Sequence, residues 1–89
     1  MRVDVFLHKV CVLKSRTMAG EACRRGKITV NGEAARASRT VEPGSVVAID
    51  LGTGALEIEV TAIPAGNVPR KDALNYYRVI RDERGAPIF

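Results

Sequence analysis

LKSRTMAGEACRRGKITVNG, residues 13–32, contains a helix with both ends marked, then a strand, then a tight turn. Ser15 suits the N-cap position, because its hydroxyl can accept a hydrogen bond from a free first-turn N–H. Gly26 suits the left-handed position just past a helix end. Met18, Ala19, Ala22 and Cys23 form an apolar stripe at helical spacing, and the small residues on it allow close packing on a neighbouring helix. Asn31-Gly32, between Ile28/Val30 and Ala34–Arg36, is a strong hairpin signal. The same unit carries Lys14, Arg16, Arg24, Arg25 and Lys27. Arg16 falls in the first helical turn, where the dipole disfavours a cation unless an anion joins it. A phosphate is the natural candidate.

Upstream, Val3, Phe6, Leu7 and Val10 recur at helical spacing, with Asp4 as a favourable first-turn acid. They predict a first helix from Val3 to Cys11 or Val12. Downstream, the two-residue turn sets Val30 opposite Glu33, Ile28 opposite Ala35 and Lys27 opposite Arg36. Facing like charges destabilise a strand pair. Lys27 and Arg36 are therefore either a slack end or, as we read them, half of an anion site with Arg16, Arg24 and Arg25.

From Thr40 the character changes. Glu42-Pro43-Gly44 is a turn, Val46–Leu51 a strand, and Gly52-Thr53-Gly54 another turn. In residues 56–63, Leu56, Ile58 and Val60 alternate with Glu57, Glu59 and Thr61, which predicts an antiparallel pair with one wet face. Residues 64–69 (PAGNVP) form a connector. Ala73, Leu74, Tyr77 and Ile80 have helical spacing and predict a last helix over 71–81, with a frayed tail beyond Gly85. The expected class is α+β, with residues 1–63 as the main unit and 64–89 as connector, C-terminal helix and tail.

Charge is segregated along the chain. Residues 1–39 hold nine Lys or Arg against three acids, residues 40–69 hold four acids and no Lys or Arg, and residues 70–89 hold five against three. This polarity suggests one face made for a polyanion. No apolar run approaches the roughly 18 residues of a membrane span, and no signal peptide is recognisable; a cytoplasmic protein without a membrane partner is expected. Cys11 and Cys23 read as small buried thiols in preference to a disulfide or metal pair. His8 has no partner at ligand spacing. Phosphate-binding glycine loops and nucleophile motifs are absent, and Glu57 and Glu59 read as the solvated half of an alternation. A non-enzymatic protein without metal or cofactor is expected.

Arg2-Val3-Asp4-x-Phe6-Leu7, Leu13-x-Ser15-Arg16-x-x-Ala19, Gly26-x-Ile28-x-Val30-Asn31-Gly32, Ser38, Val41 and Gly44 closely resemble the S4-type RNA-binding domain. The resemblance covers residues 2 to about 51. It implies the S4-like (αL) fold, with two packed N-terminal helices on a small antiparallel sheet and RNA held by the second helix and the hairpin. Ser45 departs from the pattern, which usually has Asp there, and this is expected to weaken a turn. The length and the Tyr-containing C-terminal segment are similar to the stand-alone bacterial members. These bind free large ribosomal subunits that still carry peptidyl-tRNA, in the quality control of stalled nascent chains or in a heat-shock role. The resemblance thus implies ribosomal RNA and tRNA on the large subunit as partners of a monomer, with Arg2 and Arg16 among the contacts. The full candidate set is Arg2, Lys14, Ser15, Arg16, Arg24, Arg25, Lys27, Asn31 and Arg36. A DNA-binding winged-helix-like module is the rival reading; it has one helix too few before the hairpin.

Overall fold

In the computed structural model, which describes residues 1–52 and 54–83, two helices precede a five-stranded sheet. Helix α1 spans Val3–Lys9 and α2 spans Arg16–Arg24. The strands are β1 (Ile28–Val30), β2 (Glu33–Ala34), β3 (Val46–Asp50), β4 (Ala55–Val60) and β5 (Tyr77–Asp82), with a 3-10 helix over Arg70–Asn75. The sheet order is β2-β1-β3-β4-β5, antiparallel throughout. This is the α+β architecture expected from the sequence, with one element changed.

α1 is rich in β-branched residues and is a poor helix by propensity; its surroundings supply what propensity does not. Val3, Phe6, Leu7 and Val10 are all fully buried. Each such side chain contributes about 1.5–3 kcal/mol by leaving water. The N-terminus docks on the segment after the hairpin: the Val3 and Asp4 amides donate to the Arg39 and Ala37 carbonyls at 2.7 and 3.4 Å. The helix ends two residues earlier than the lower expected limit of Cys11. Cys11 adopts φ 62°, which turns the chain out of the helix, and its side chain is exposed where burial was expected.

α2 follows its sequence signals closely. The Ser15 hydroxyl oxygen accepts from the Met18 amide at 3.0 Å. Gly26 stands at φ 70° just past the end, a conformation open to glycine without penalty. Ala19 and Cys23 bury into the core and Ala22 packs against it. Met18 leaves the expected stripe and is 46% exposed. In the hairpin, Asn31 and Gly32 take φ 53° and 84°, so both central residues are left-handed. The Asn31 side-chain oxygen also accepts from the Val46 amide at 2.9 Å, tying the turn to β3.

β3 and β4 pair as expected, Val47 with Ile58 and Ile49 with Leu56. Leu56, Ile58 and Val60 are buried, while Glu57 and Glu59 lie half-buried on the other face. The turn at 42–45 forms with Ser45 in place. This residue is buried, its hydroxyl accepts from the Glu42 amide at 3.0 Å, and its own amide donates to the Glu42 carbonyl at 2.9 Å.

The last helix expected over 71–81 is not formed. A 3-10 helix over Arg70–Asn75 is followed by β5, which pairs with β4 through Val60↔Tyr77, Glu59↔Arg78 and Ile58↔Val79. The helical spacing was a coincidence of composition: Leu74 is 67% and Ile80 43% exposed, so half of the supposed stripe is not core. The run Tyr77-Arg78-Val79-Ile80 favours a strand, and β4 offered an unpaired edge to receive it. The tail beyond Gly85, and Thr53 in the turn before β4, lie outside the described residues.

Candidate nucleic-acid interface

Arg2 precedes α1 and Arg16 opens α2, so the packing of the two helices brings residues 14 positions apart to one place. What joins them is Asp4. Its carboxylate is almost wholly buried and accepts four hydrogen bonds. The Val5 amide donates at 2.8 Å, Arg2 donates through Nε at 3.2 Å and Nη2 at 3.1 Å, and Arg16 donates through Nε at 3.4 Å. The Arg2 and Arg16 side chains remain 47% and 57% exposed. Two guanidiniums on one carboxylate leave a net positive charge. Arg2 keeps Nη1 and Arg16 keeps both Nη nitrogens without a partner among the described residues. Such planar donor sets match phosphate oxygens, and a buried acceptor holds them in place before any ligand arrives.

The anion that makes a cation tolerable at the start of α2 is therefore, within the protein, Asp4. In the sequence Asp4 was legible only as a first-turn acid. The signal that could have found its role is its position between Val3 and Phe6, an acid inside an otherwise buried face, which demands a cationic partner.

The other basic residues gather elsewhere. Arg16 and Arg24 lie at opposite ends of α2, about 12 Å apart at roughly 1.5 Å per residue. Arg24 and Arg25 both pair with Glu21, Arg25 at 3.3 Å. The hydrogen bond and charge of Arg24, then those of Arg25, lower the Glu21 pKa. Burial, and behind it the Asp4 charge, raises the pKa of the Cys23 thiol. Lys27 pairs with Asp50 at 3.8 Å. β1 and β2 pair at Val30↔Glu33 and Thr29↔Ala34, and the Ala35 amide still donates to the Ile28 carbonyl at 3.0 Å; Lys27 and Arg36 lie just beyond these paired residues. Arg36 and Lys14 are exposed and form no ion pair among the described residues. The structure thus divides the candidate set in two. Arg2, Lys14, Ser15 and Arg16 stand at the start of α2. Arg24, Arg25, Lys27 and Arg36 stand toward its end and the hairpin. Asn31, in the turn, has its side-chain oxygen engaged with β3.

No cluster of three or more His, Cys, Asp or Glu suited to a metal occurs among the described residues, and none of their helices is long and apolar enough to cross a membrane.

Two helices on an antiparallel sheet, with basic side chains at both ends of the second helix, are the arrangement expected of the S4-type domain. The S4 domain model matches residues 1–47, and the chain belongs to the S4 domain family. Along nearly its whole length it is similar to proteins named RQC P-site tRNA stabilizing factor. It is 36% identical over 83 residues to that of Halalkalibacterium halodurans, covering 93% of each chain. To that of Helicobacter pylori strain 26695 it is 39% identical over 77 residues, covering 85% of this chain and 92% of the relative. Among solved structures it resembles Vibrio cholerae Heat Shock Protein 15, described as a trimer, with a TM-score of 0.84 and 25% identity over 93% of this chain and 84% of that one.

Proposed function

We propose that this protein binds RNA on the large ribosomal subunit together with tRNA, as a non-enzymatic cytoplasmic factor in the quality control of stalled nascent chains. The names of its near-full-length relatives support the P-site tRNA and the quality-control setting. The single observation that carries the reading is the Arg2–Asp4–Arg16 cluster, a fork of two half-exposed guanidiniums fixed by a buried carboxylate. Its free N–H groups are suited to two phosphates, or to two oxygens of one. Arg24, Arg25 and Arg36 extend the positive surface along α2 and the hairpin and add affinity without fixed geometry.

Sedimentation of the tagged protein tests the reading. It should travel with large subunits that retain peptidyl-tRNA, and Arg2→Ala/Arg16→Ala should shift it to the top of the gradient. Affinity for a structured RNA should also fall steeply with salt, by about 0.7–0.9 logarithmic units per decade of salt for each phosphate neutralised. A protein that stays at the top of the gradient in cells with stalled ribosomes, or a flat salt response, would contradict it.

A further inference from the structure

Beside the arginine cluster a cleft of about 460 Å³ opens between α1, the start of α2 and the connector at Asn67 and Val68. This volume lies within the ~300–1,000 Å³ of ordinary small-molecule sites. Half-buried Val5 and Val68 supply an apolar floor. His8, Lys9, Arg16 and Asn67 also line it. No acidic residue lines it. Lys9 also donates from Nζ to the Gly66 carbonyl at 3.2 Å, which ties the connector to α1 and holds the far wall in place.

We propose that this cleft takes one unpaired ribonucleotide, extruded from the RNA that the Arg2–Asp4–Arg16 cluster holds. The proposal rests on the RNA-binding reading and adds a subsite to it. Three features specify the occupant. The first is continuity: Arg16 belongs to both the cluster and the cleft, so the RNA chain held at one reaches the other. The second is charge: cationic walls without an acid suit a phosphodiester. The third is the pairing of an apolar floor with an amide. A base has apolar faces and a polar edge; imidazole and guanidinium planes stack on such faces. The Asn67 amide offers both a donor and an acceptor to the edge. A duplex cannot enter a concavity of this size, so the nucleotide must come from a bulge or a loop.

The test compares two RNA hairpins of equal stem length, one fully paired and one with a single-nucleotide bulge bearing 2-aminopurine. The bulged hairpin should bind roughly tenfold tighter, as expected for one stacked base, with a change in 2-aminopurine emission on binding. His8→Ala/Asn67→Ala, and separately Asn67→Trp, which fills the cleft from the exposed connector, should abolish the difference. Thermal midpoints equal to the parent's certify that these surface changes leave the fold intact. Equal binding of the two hairpins by the parent protein, or a preference that survives both variants, would overturn the cleft proposal while leaving the RNA reading standing. Binding of neither hairpin would overturn both.

Discussion

Asp4 and Glu21 each hold two arginines, and the difference between them is burial. The Asp4 side chain is 5% exposed, with Arg2, just before α1, and Arg16, at the start of α2, reaching it. The Glu21 side chain is 46% exposed, with Arg24 and Arg25 on its own helix at i+3 and i+4. Exposed pairs of the second kind add little to stability and weaken with salt. They leave the guanidiniums free to exchange partners. The first kind acts in a lower dielectric and cannot be satisfied by water, so it fixes the fork. Similar chemistry thus yields a positioned pair at one end of α2 and a mobile positive charge at the other.

This contrast can be broken experimentally. The largest effect is expected from Arg16→Ala, which should weaken binding of large subunits carrying tRNA by about 1.5–3 kcal/mol, the scale of charge-assisted hydrogen bonds. Arg16→Lys should restore part of that, because an ammonium cannot reproduce the fork. The fold should be only modestly destabilised in either, since Asp4 keeps its two bonds from Arg2 and that from the Val5 amide. Thermal melts beside binding titrations check both statements. Arg24→Ala should cost about 0.5–1 kcal/mol of affinity, and that loss should vanish at high salt. Glu21→Gln should leave affinity unchanged or slightly improved, because it frees two exposed cations.

The smallest difference is expected in thiol chemistry. Cys11 is exposed, whereas Cys23 is buried with its pKa raised, so a limiting maleimide reagent should label Cys11 first. Labelling of Cys23 at the same rate would show that α2 opens readily.

How far the sequence carried this account differs between its halves. Ser15, Gly26 and Asn31-Gly32 each act through local backbone geometry, and all appear in the structure at their expected positions. The alternation over 56–60 was legible because one sheet face is dry. Two things were not legible. Residues 77–82 become a strand because β4 offers an edge, a tertiary fact that no local period carries. The partnership of Asp4 with Arg16 spans 12 positions and depends on the packing of α1 on α2. A first-turn acid and a first-turn cation look unrelated until the helices meet. Arg16 stood out as a first-turn cation and Arg2 through the resemblance; that Asp4 holds the two together was not legible.

The central claim is that Asp4 positions the two arginines for RNA, and a double-mutant cycle of Asp4→Asn with Arg16→Ala tests it most directly. Asparagine keeps an acceptor for the Val5 amide and removes the charge. Read by affinity for large subunits carrying tRNA, on variants shown to be folded, Asp4→Asn alone should weaken binding by about 1 kcal/mol, although it deletes a negative charge beside a polyanion. In the Arg16→Ala background the same change should cost less than half as much, because one of its two clients is gone. If Asp4→Asn strengthens binding, or costs the same in both backgrounds, Asp4 does not position the arginines and the claim fails.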